Sequence, residues 1–404
     1  MELTVSPGHQ RLRDRVKRAT RVELFPTDDV RAAFQAGQTA GDPTAEAFVA
    51  ETYHGEMGGA AAAAMLDEAL RVGIDKVPDA PESMRALFNE FETVPDWLDP
   101  DLIEQGAAVW RRWGYNMGAV GNAGTMDTYT EGSLAVPLSL AGGYAGSSAL
   151  NRYLETSKWW LEVCQPGAVL TPGSKARELS LKVRVMHVSV RARVASHPEW
   201  DAKAHGLPIS QSEMMLTLLG GSVGPAFGLM GLGFLTSPAE VRAVLHYNRY
   251  LGHLVGCSVD DMYPTTYRDG LRLLYYFDAT RKHDSGSLGA ELVESFVPSF
   301  EPAPSVRGVA RLRAKFHLHL QAGYTRLFML PWNRRDYRLP SGLPGLAILF
   351  LRTPFIVGVE LARRVSPAVD EWWQRGSMRR WRRWHAWHMG QREEQFDATK
   401  ALRR

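Results

Sequence analysis

The residue pattern with the clearest chemical meaning is a histidine between two arginines. Arg184, His187 and Arg191 lie at positions i, i+3 and i+7, so a helix would place all three on one face. Two fixed positive charges beside the imidazole disfavour its protonated form, so we expect a neutral ring with a lone pair for a metal. Haem fits this face, because its iron takes the nitrogen and its propionates take the arginines. The alternative is a solvated or ion-paired face that binds no ligand.

Helices must position these residues, because apolar side chains recur at intervals of three and four along much of the chain. The pattern predicts helices over 60–72, 101–119, 173–195, 238–256 and 306–330. Strand signals are scarce, since no alternating β-branched run exceeds a few residues. The sequence therefore predicts an all-α protein, a single large helical domain of roughly ten or more helices.

Local signals refine this prediction. Ser237 before Pro238, and Ser210 three residues before Glu213, are typical N-caps of helices. Glycine-rich apolar stretches at 134–149 and 220–234 indicate a close approach to the backbone, by another helix or by a flat cofactor.

Composition limits the class of protein. The chain has 404 residues, a hydrophobic content of 45% and a net charge of +3, which is too small to indicate nucleic-acid binding. Cys164 and Cys257 stand outside any C-x-x-C motif, which excludes covalent haem attachment and cysteine-rich metal sites. Residues 1–31 lack an apolar segment, and the apolar run 343–361 is interrupted by Arg352 and two prolines. We therefore expect a cytoplasmic location.

Three other motifs do not indicate a functional site. Gly220-Gly221-Ser222-Val223-Gly224 matches the G-x-S-x-G motif of serine hydrolases, but a helix is predicted before it where that motif needs a strand. A di-iron site in a helical bundle needs two Glu-x-x-His pairs, and the sequence has a single such pair, Glu51 to His54, which argues against this kind of site. His246 and His253 share a helical face, where hydrogen bonds to carbonyl groups are the commoner outcome.

The C-terminal stretch 378–392 alternates tryptophans with arginines. Trp381, Trp384 and Trp387 recur at helical spacing among basic side chains. One interpretation is a basic helix on anionic lipid, which gives a candidate peripheral membrane contact. The other is Arg–Trp stacking against the protein's own surface.

Several short motifs, in this order, resemble the latex clearing protein (rubber oxygenase) and MpaB family. They are the apolar glycine-rich segment 134–146, Arg152-x-x-x-Thr156, Arg184-x-x-His187-x-x-x-Arg191, Trp200 with Gly206-Leu207-Pro208-Ile209-Ser210-Gln211, and His246-Tyr247-Asn248-Arg249-Tyr250-x-Gly252 with Gly256. The resemblance spans roughly residues 45–330. It implies an N-terminal extension over 1–44, a helical oxygenase domain with a globin-like core over 45–330, and a C-terminal helical extension over 331–404.

The same resemblance assigns roles to individual residues. His187 would be the proximal ligand of a non-covalent haem b, with Arg184 and Arg191 as propionate or haem-edge partners. Arg152 and Thr156 would line the distal substrate pocket. The rubber-cleaving branch has a lysine just before the threonine, whereas this chain has Glu155. In an apolar pocket that carboxyl group could transfer a proton near dioxygen; alternatively it pairs with Arg152 as scaffold.

The resulting hypothesis is a haem b-dependent oxygenase that uses dioxygen to cleave or oxidise C=C bonds of a hydrophobic, isoprenoid-like substrate. Glu155 and the missing export signal argue against extracellular rubber as that substrate. The alternatives are a haem-binding sensor or carrier without turnover, and a helical scaffold that binds no haem.

Overall fold

The computed structural model describes residues 3–141 and 149–390. These residues form helices joined by turns and contain no β-strand, which confirms the all-α prediction. The helices of the first half are α1 (Pro7–Thr20), α2 (Asp28–Gly37), α3 (Pro43–Glu51), α4 (Gly59–Val72), α5 (Glu82–Glu92), α6 (Pro100–Trp113), α7 (Tyr115–Thr128), α8 (Gly132–Leu140), α9 (Ala149–Val163) and α10 (Lys175–Ala195). Those of the second half are α11 (Ala202–His205), α12 (Gln211–Gly221), α13 (Val223–Gly228), α14 (Pro238–Leu254), α15 (Val259–Met262), α16 (Tyr267–Thr280), α17 (Gly286–Phe296), α18 (Gly308–Phe328), α19 (Pro331–Arg334), α20 (Leu343–Ala362) and α21 (Pro367–Met389).

Four of the five predicted helices are single helices with nearly the predicted bounds, namely α4, α10, α14 and α18. The fifth, predicted over 101–119, is divided into α6 and α7 at Gly114. The φ angle of Gly114 is +54°, a conformation that a helix cannot continue through and that glycine adopts without steric cost. Apolar periodicity runs through this break, and the sequence pattern therefore missed it.

The predicted helix starts are correct, and their side chains explain why. Ser210 caps α12 and Ser237 caps α14, and each serine oxygen accepts a hydrogen bond from the backbone N–H three residues on. Glu213 and Glu240 complete two capping boxes, because each carboxylate accepts from the backbone N–H of its serine. Both helices therefore begin at fixed residues.

The helices enclose one large core in which α6 and α14 cross closely. A Cβ atom on Gly106 would lie 2.4 Å from Cβ of Tyr247 and 2.5 Å from the carbonyl oxygen of Ala243, so only glycine allows this approach. Trp110 packs edge-to-face on Tyr247, with ring centroids 5.3 Å apart. Here a neighbouring helix occupies the space that glycine provides.

The structure describes one of the two glycine-rich stretches completely and the other only in part. The predicted segment 134–146 is described only as far as 141, within and just after α8, and its remainder lies outside the described residues. In 220–234, Gly221 ends α12 where a Cβ would lie 2.7 Å from Oδ1 of Asn248. Ser222 is buried, and its hydroxyl donates to the carbonyl oxygen of Leu218 at 3.0 Å. A helix precedes it, so the hydrolase motif is a chance match.

One connected cluster of buried apolar side chains runs from Phe25 to Met389. All three predicted segments, 1–44, 45–330 and 331–404, contribute to it. Their boundaries stay a prediction.

Candidate functional site

The predicted site residues lie on two consecutive helices, α9 and α10. A turn of eleven residues, 164–174, reverses the chain, and Nε1 of Trp159 on α9 donates to Oγ of Ser180 on α10 at 2.9 Å. Arg152 lies seven residues before Trp159, and His187 lies seven residues after Ser180. At a rise of about 1.5 Å per residue, an antiparallel pair places both about 10 Å from this bond and therefore at the same level. Arg152 and His187 therefore lie at the same level of this helical hairpin.

His187 has the properties expected of a metal ligand. Its Nδ1 atom is buried and has no hydrogen-bond partner. Burial, together with the smaller effect of the nearby Arg191 charge, lowers the pKa of His187 to about 4. The ring is therefore neutral near pH 7, as the sequence predicts, although burial is the main cause and Arg191 is the secondary one. A neutral imidazole with an unpaired nitrogen can bind an iron atom.

Arg184 is buried, with 2% of its surface exposed, and it holds three helices together. Its Nε and Nη2 donate to the two carboxylate oxygens of Asp42 at 2.7 and 2.8 Å. Nη2 also donates to Glu90 at 2.5 Å, so α10 is tied to the start of α3 and to α5. The paired carboxylates raise the pKa of Arg184 against the opposing effect of burial. This guanidinium group is therefore an internal anchor in the structure.

Gly256 is required beside this pair. Its φ angle is +79°, and an added Cβ would lie 2.0 Å from Oδ2 of Asp42 and 2.6 Å from Nε of Arg184. Glycine therefore meets both a backbone requirement and a space requirement here. This contact explains one of the resemblance motifs without any ligand.

Arg191 anchors a second loop. Its Nε and Nη2 donate to the carbonyl oxygens of Pro208 and Ile209 at 3.2 and 2.6 Å, and Nη1 pairs with Glu46 at 3.0 Å. Ile209 has a φ angle of +52°, which is strained for a β-branched residue. Arg191 thus holds the strained Pro208–Ile209 loop against α10. The role of Arg184 and Arg191 toward propionates stays a prediction.

The predicted distal residues lie on one side of α9. Nη1 of Arg152 pairs with Oε2 of Glu155 at 2.9 Å, with 15% and 12% of the side chains exposed. The hydroxyl of Thr156 donates to the carbonyl oxygen of Arg152 at 3.1 Å. The structure therefore contains the ion pair that the scaffold interpretation of Glu155 requires, and a role in proton transfer stays a prediction.

The remaining histidine pair stabilises the fold. Nε2 of His246 accepts from the backbone N–H of Asp99 at 3.2 Å, and the His253 ring lies 3.2 Å from the carbonyl oxygen of Thr93. Both histidines thus connect α14 to the 93–99 turn between α5 and α6. The carbonyl contact of His253 is the outcome that the sequence favoured.

The C-terminal helix α21 covers α9 from the protein side. Trp381 and Trp384 are buried, and Trp384 packs on Tyr153 of α9 with ring centroids 5.7 Å apart. His385 contacts the carbonyl oxygen of Leu154 at 2.9 Å. The interpretation in which these two tryptophans face lipid is therefore wrong, because the core of the protein occupies that side. Residues 391 and 392 of the predicted stretch lie outside the described residues.

Sequence reasoning missed the acidic partners of the arginines. Asp42, Glu46 and Glu90 lie about one hundred residues or more before the arginines they bind, so spacing along the chain gives no signal for the pairing. Asp42 precedes Pro43 and accepts from the backbone N–H of Ala45, so only its role as N-cap was visible in the sequence.

Comparison with known proteins identifies the family to which this chain belongs. Residues 107–359 match the family described as ER-bound oxygenase mpaB/B'/Rubber oxygenase, catalytic domain. The chain belongs to this family. The matched range contains all six predicted site residues, on α9 and α10.

Two relatives agree with the family assignment. A rubber oxygenase from Streptomyces sp. (strain K30) is 25% identical over 206 residues, which are 50% of this chain and 48% of that protein. The chain thus matches about half the length of this curated relative. The structure of latex clearing protein LCP in the closed state shares the fold with a TM-score of 0.58, at 17% identity, over 80% of this chain and 91% of that chain. This MpaB/rubber oxygenase family member therefore has an LCP-like fold.

Proposed function

We propose that the chain is a haem b-dependent oxygenase that cleaves or oxidises C=C bonds of a hydrophobic, isoprenoid-like substrate with dioxygen. Membership of an oxygenase family supports the reaction class. The single observation that carries the cofactor proposal is the buried, unpaired Nδ1 atom of His187 on a ring kept neutral near pH 7. A polar nitrogen buried without a partner costs free energy unless a ligand satisfies it.

The residues present fit a haem. Within residues 3–141 and 149–390, no group of three or more His, Cys, Asp or Glu side chains could hold a metal ion. A haem iron needs only one or two protein ligands, because the porphyrin supplies the others. In the proposal His187 holds the iron, and Arg184 and Arg191 fix α10, on which His187 lies, through their pairs with Asp42 and Glu46. When bound, the haem supplies dioxygen activation.

The side chains on α9 give the proposal its proton chemistry. Arg152 orients the Glu155 carboxylate through the 2.9 Å ion pair, so this group has a fixed position on α9 about one helical turn from the level of His187. We assign to Glu155 the transfer of a proton during the reaction, and to Arg152 and Thr156 the positioning of the reacting molecule. Because the carboxylate stands where the rubber-cleaving branch has a lysine, the proposed substrate is a smaller isoprenoid.

Two measurements on the purified chain test this proposal. We expect a Soret absorption band, present as purified or after haem is added, and oxygen-dependent carbonyl products from squalene, a carotenoid or a short polyisoprene. A protein that stays colourless with added haem would contradict the cofactor assignment and favour a scaffold without haem. Bound haem with no product from any of these substrates would contradict turnover and favour a sensor or carrier.

A substitution tests Glu155 directly. Glu155→Gln keeps the shape of the side chain and removes the charge, so we expect normal haem content and a loss of turnover of about a hundredfold. Glu162→Gln on the same helix, where Glu162 pairs with Lys158 at 3.5 Å, is the matched control and should leave turnover unchanged. Equal turnover in the two variants would return Glu155 to a scaffold role. The cytoplasmic location stays a prediction.

A further inference from the structure

Helix α20 carries a long apolar stripe on the protein surface. The exposed side chains Leu343, Phe350, Leu351, Phe355 and Leu361 recur at helical spacing, and we call them the α20 stripe. Leu351 has 81% of its surface exposed and Phe355 has 60%, which is unusual for large apolar residues in one contiguous row. The helix has 20 residues, so the stripe is about 30 Å long.

The two charged residues of α20 point away from this stripe. Nη2 of Arg352 donates to Oδ1 of Asn116 at 3.1 Å, and Glu360 is 2% exposed and paired with Arg363 at 2.8 Å. The arginine that interrupts the apolar run in sequence therefore does not interrupt the exposed face. This arrangement leaves the stripe without a formal charge.

The apolar surface continues onto α18. A Cβ on Gly323 would lie 2.5 Å from the carbonyl carbon of Gly345, so α18 and α20 touch backbone to backbone at this point. Phe316 lies seven residues before Gly323, and Arg352 lies seven residues after Gly345. In an antiparallel pair Phe316 is therefore level with the middle of the stripe. Phe316 is 44% exposed, and Leu312, one turn earlier, is 70% exposed.

Basic residues border this apolar surface. Helix α21 joins it through Trp373, which packs on Phe355 with ring centroids 6.1 Å apart, and through Trp387, which lies under the guanidinium of Arg313 at 4.9 Å. Helices α18 and α21 also carry exposed basic side chains that form no ion pair with an acidic group of the described residues. These include Arg313, Lys315, Arg379 and Arg383. An apolar face bordered by arginine and lysine is the pattern that binds anionic lipid.

We propose that the α20 stripe and the neighbouring α18 side chains rest on the surface of an anionic lipid bilayer, with the bordering arginines at the headgroups. A second copy of the chain fits less well, because pairing two such faces would bring their basic borders together. The other described segment that is apolar and long enough to cross a bilayer, Gln211–Leu232, is 61% buried inside the protein. The helix α20 passes the same test of length and composition but is only 28% buried.

A surface position explains the packing better than a span does. Leu349 and Ile356 of α20 are buried against the protein, and so is the charged Glu360. A span would have to detach these side chains and expose the Glu360 charge to hydrocarbon, which is costly. The stripe therefore enters the lipid on one side only. This inference is independent of the haem proposal, because its test measures lipid binding alone.

Vesicle flotation of the full chain tests the proposal. We expect binding to vesicles of phosphatidylcholine with phosphatidylglycerol, weaker binding to phosphatidylcholine alone, and loss of binding in high salt. The double variant Leu351→Gln/Phe355→Gln should lose about tenfold in vesicle affinity, because it places two amides on the inserted face. Val94→Gln, at an exposed apolar residue of the 93–99 turn, is the matched control and should bind as the unaltered chain does.

A second measurement tests the proposal even if the double variant folds poorly. A polarity-sensitive dye on Leu351→Cys should shift to the blue with anionic vesicles, whereas the same dye on Val94→Cys should not; Cys164 and Cys257 are buried and free. No shift at position 351, or salt-reversible self-association without vesicle binding, would overturn the proposal in favour of a second copy. Resistance of the bound chain to extraction at alkaline pH would overturn it in favour of a span.

Discussion

The buried pair of Arg184 and Asp42 should dominate the stability of the site. Asp42→Asn keeps the N-cap of α3, because asparagine caps a helix as well as aspartate does, and it keeps one acceptor for the guanidinium. What it removes is the negative charge facing an arginine that is 2% exposed. Breaking a buried pair costs about 3–5 kcal/mol, and the remaining contact with Glu90 places the expected cost at about 3 kcal/mol.

The matched control is Glu46→Gln. Glu46 pairs with Arg191 but is 41% exposed, and Arg191 keeps its two carbonyl acceptors, so we expect a cost of about 1 kcal/mol or less. Urea unfolding at pH 7, followed by circular dichroism, measures both. The double variant Asp42→Asn/Arg184→Met should recover much of the loss, because no unpaired charge stays buried. Equal costs for the two single variants, or no recovery in the double variant, would show that the buried charge pair does not determine the stability here.

Three further perturbations follow from the same structure. Gly256→Ala should destabilise the protein by more than about 3 kcal/mol in urea unfolding, because its Cβ would collide with the Asp42–Arg184 ion pair. Gly58→Ala is the control and should cost about 1 kcal/mol, because Gly58 has a φ angle of +76° but no atom within 4 Å of an added Cβ. Equal costs for the two variants would contradict the collision. Burial raises the pKa of Glu213 to about 8, so its side chain is protonated in the folded protein and ionised in the unfolded chain between about pH 4.5 and 8. The free energy of unfolding should therefore fall as the pH rises through this range, and Glu213→Gln should abolish that slope. An unchanged slope in the variant would contradict this explanation. Trp381→Ala should cost about 3–5 kcal/mol and Trp372→Ala, at a half-exposed tryptophan, less than about 1 kcal/mol; a mild Trp381 variant would contradict the packing of α21 on the core.

The sequence predicted the helices and their starts well, because these depend on neighbours within one turn. Ser237 with Glu240 is such a local signal, and the structure contains the predicted capping box. Gly114 was missed as a break, since a glycine inside an apolar periodic run looks the same whether the chain bends there or not. Local chemistry therefore determines helix starts more visibly than helix interruptions.

The placement of the candidate site residues on helices was predictable, but their acidic partners were not. The spacing of Arg184, His187 and Arg191 placed them on one helix. The neutral state of His187 was also predicted, but its main cause is burial, which the spacing does not indicate. The carboxylates that occupy the arginines come from distant parts of the chain, and no spacing rule indicates them. The C-terminal tryptophans show the same limit, because a helix that faces lipid and one that faces the core have the same period.

The role of His187 as the iron ligand is tested most directly by the haem content of His187→Ala, measured after haem is added and compared with His54→Ala. His54 is exposed, and its side chain has no hydrogen bond in the described structure, so it controls for the loss of a histidine. We expect stoichiometric haem in the His54 variant, and loss of haem or a shifted, weakly bound spectrum in the His187 variant. Stoichiometric haem with an unchanged spectrum in His187→Ala would contradict this role.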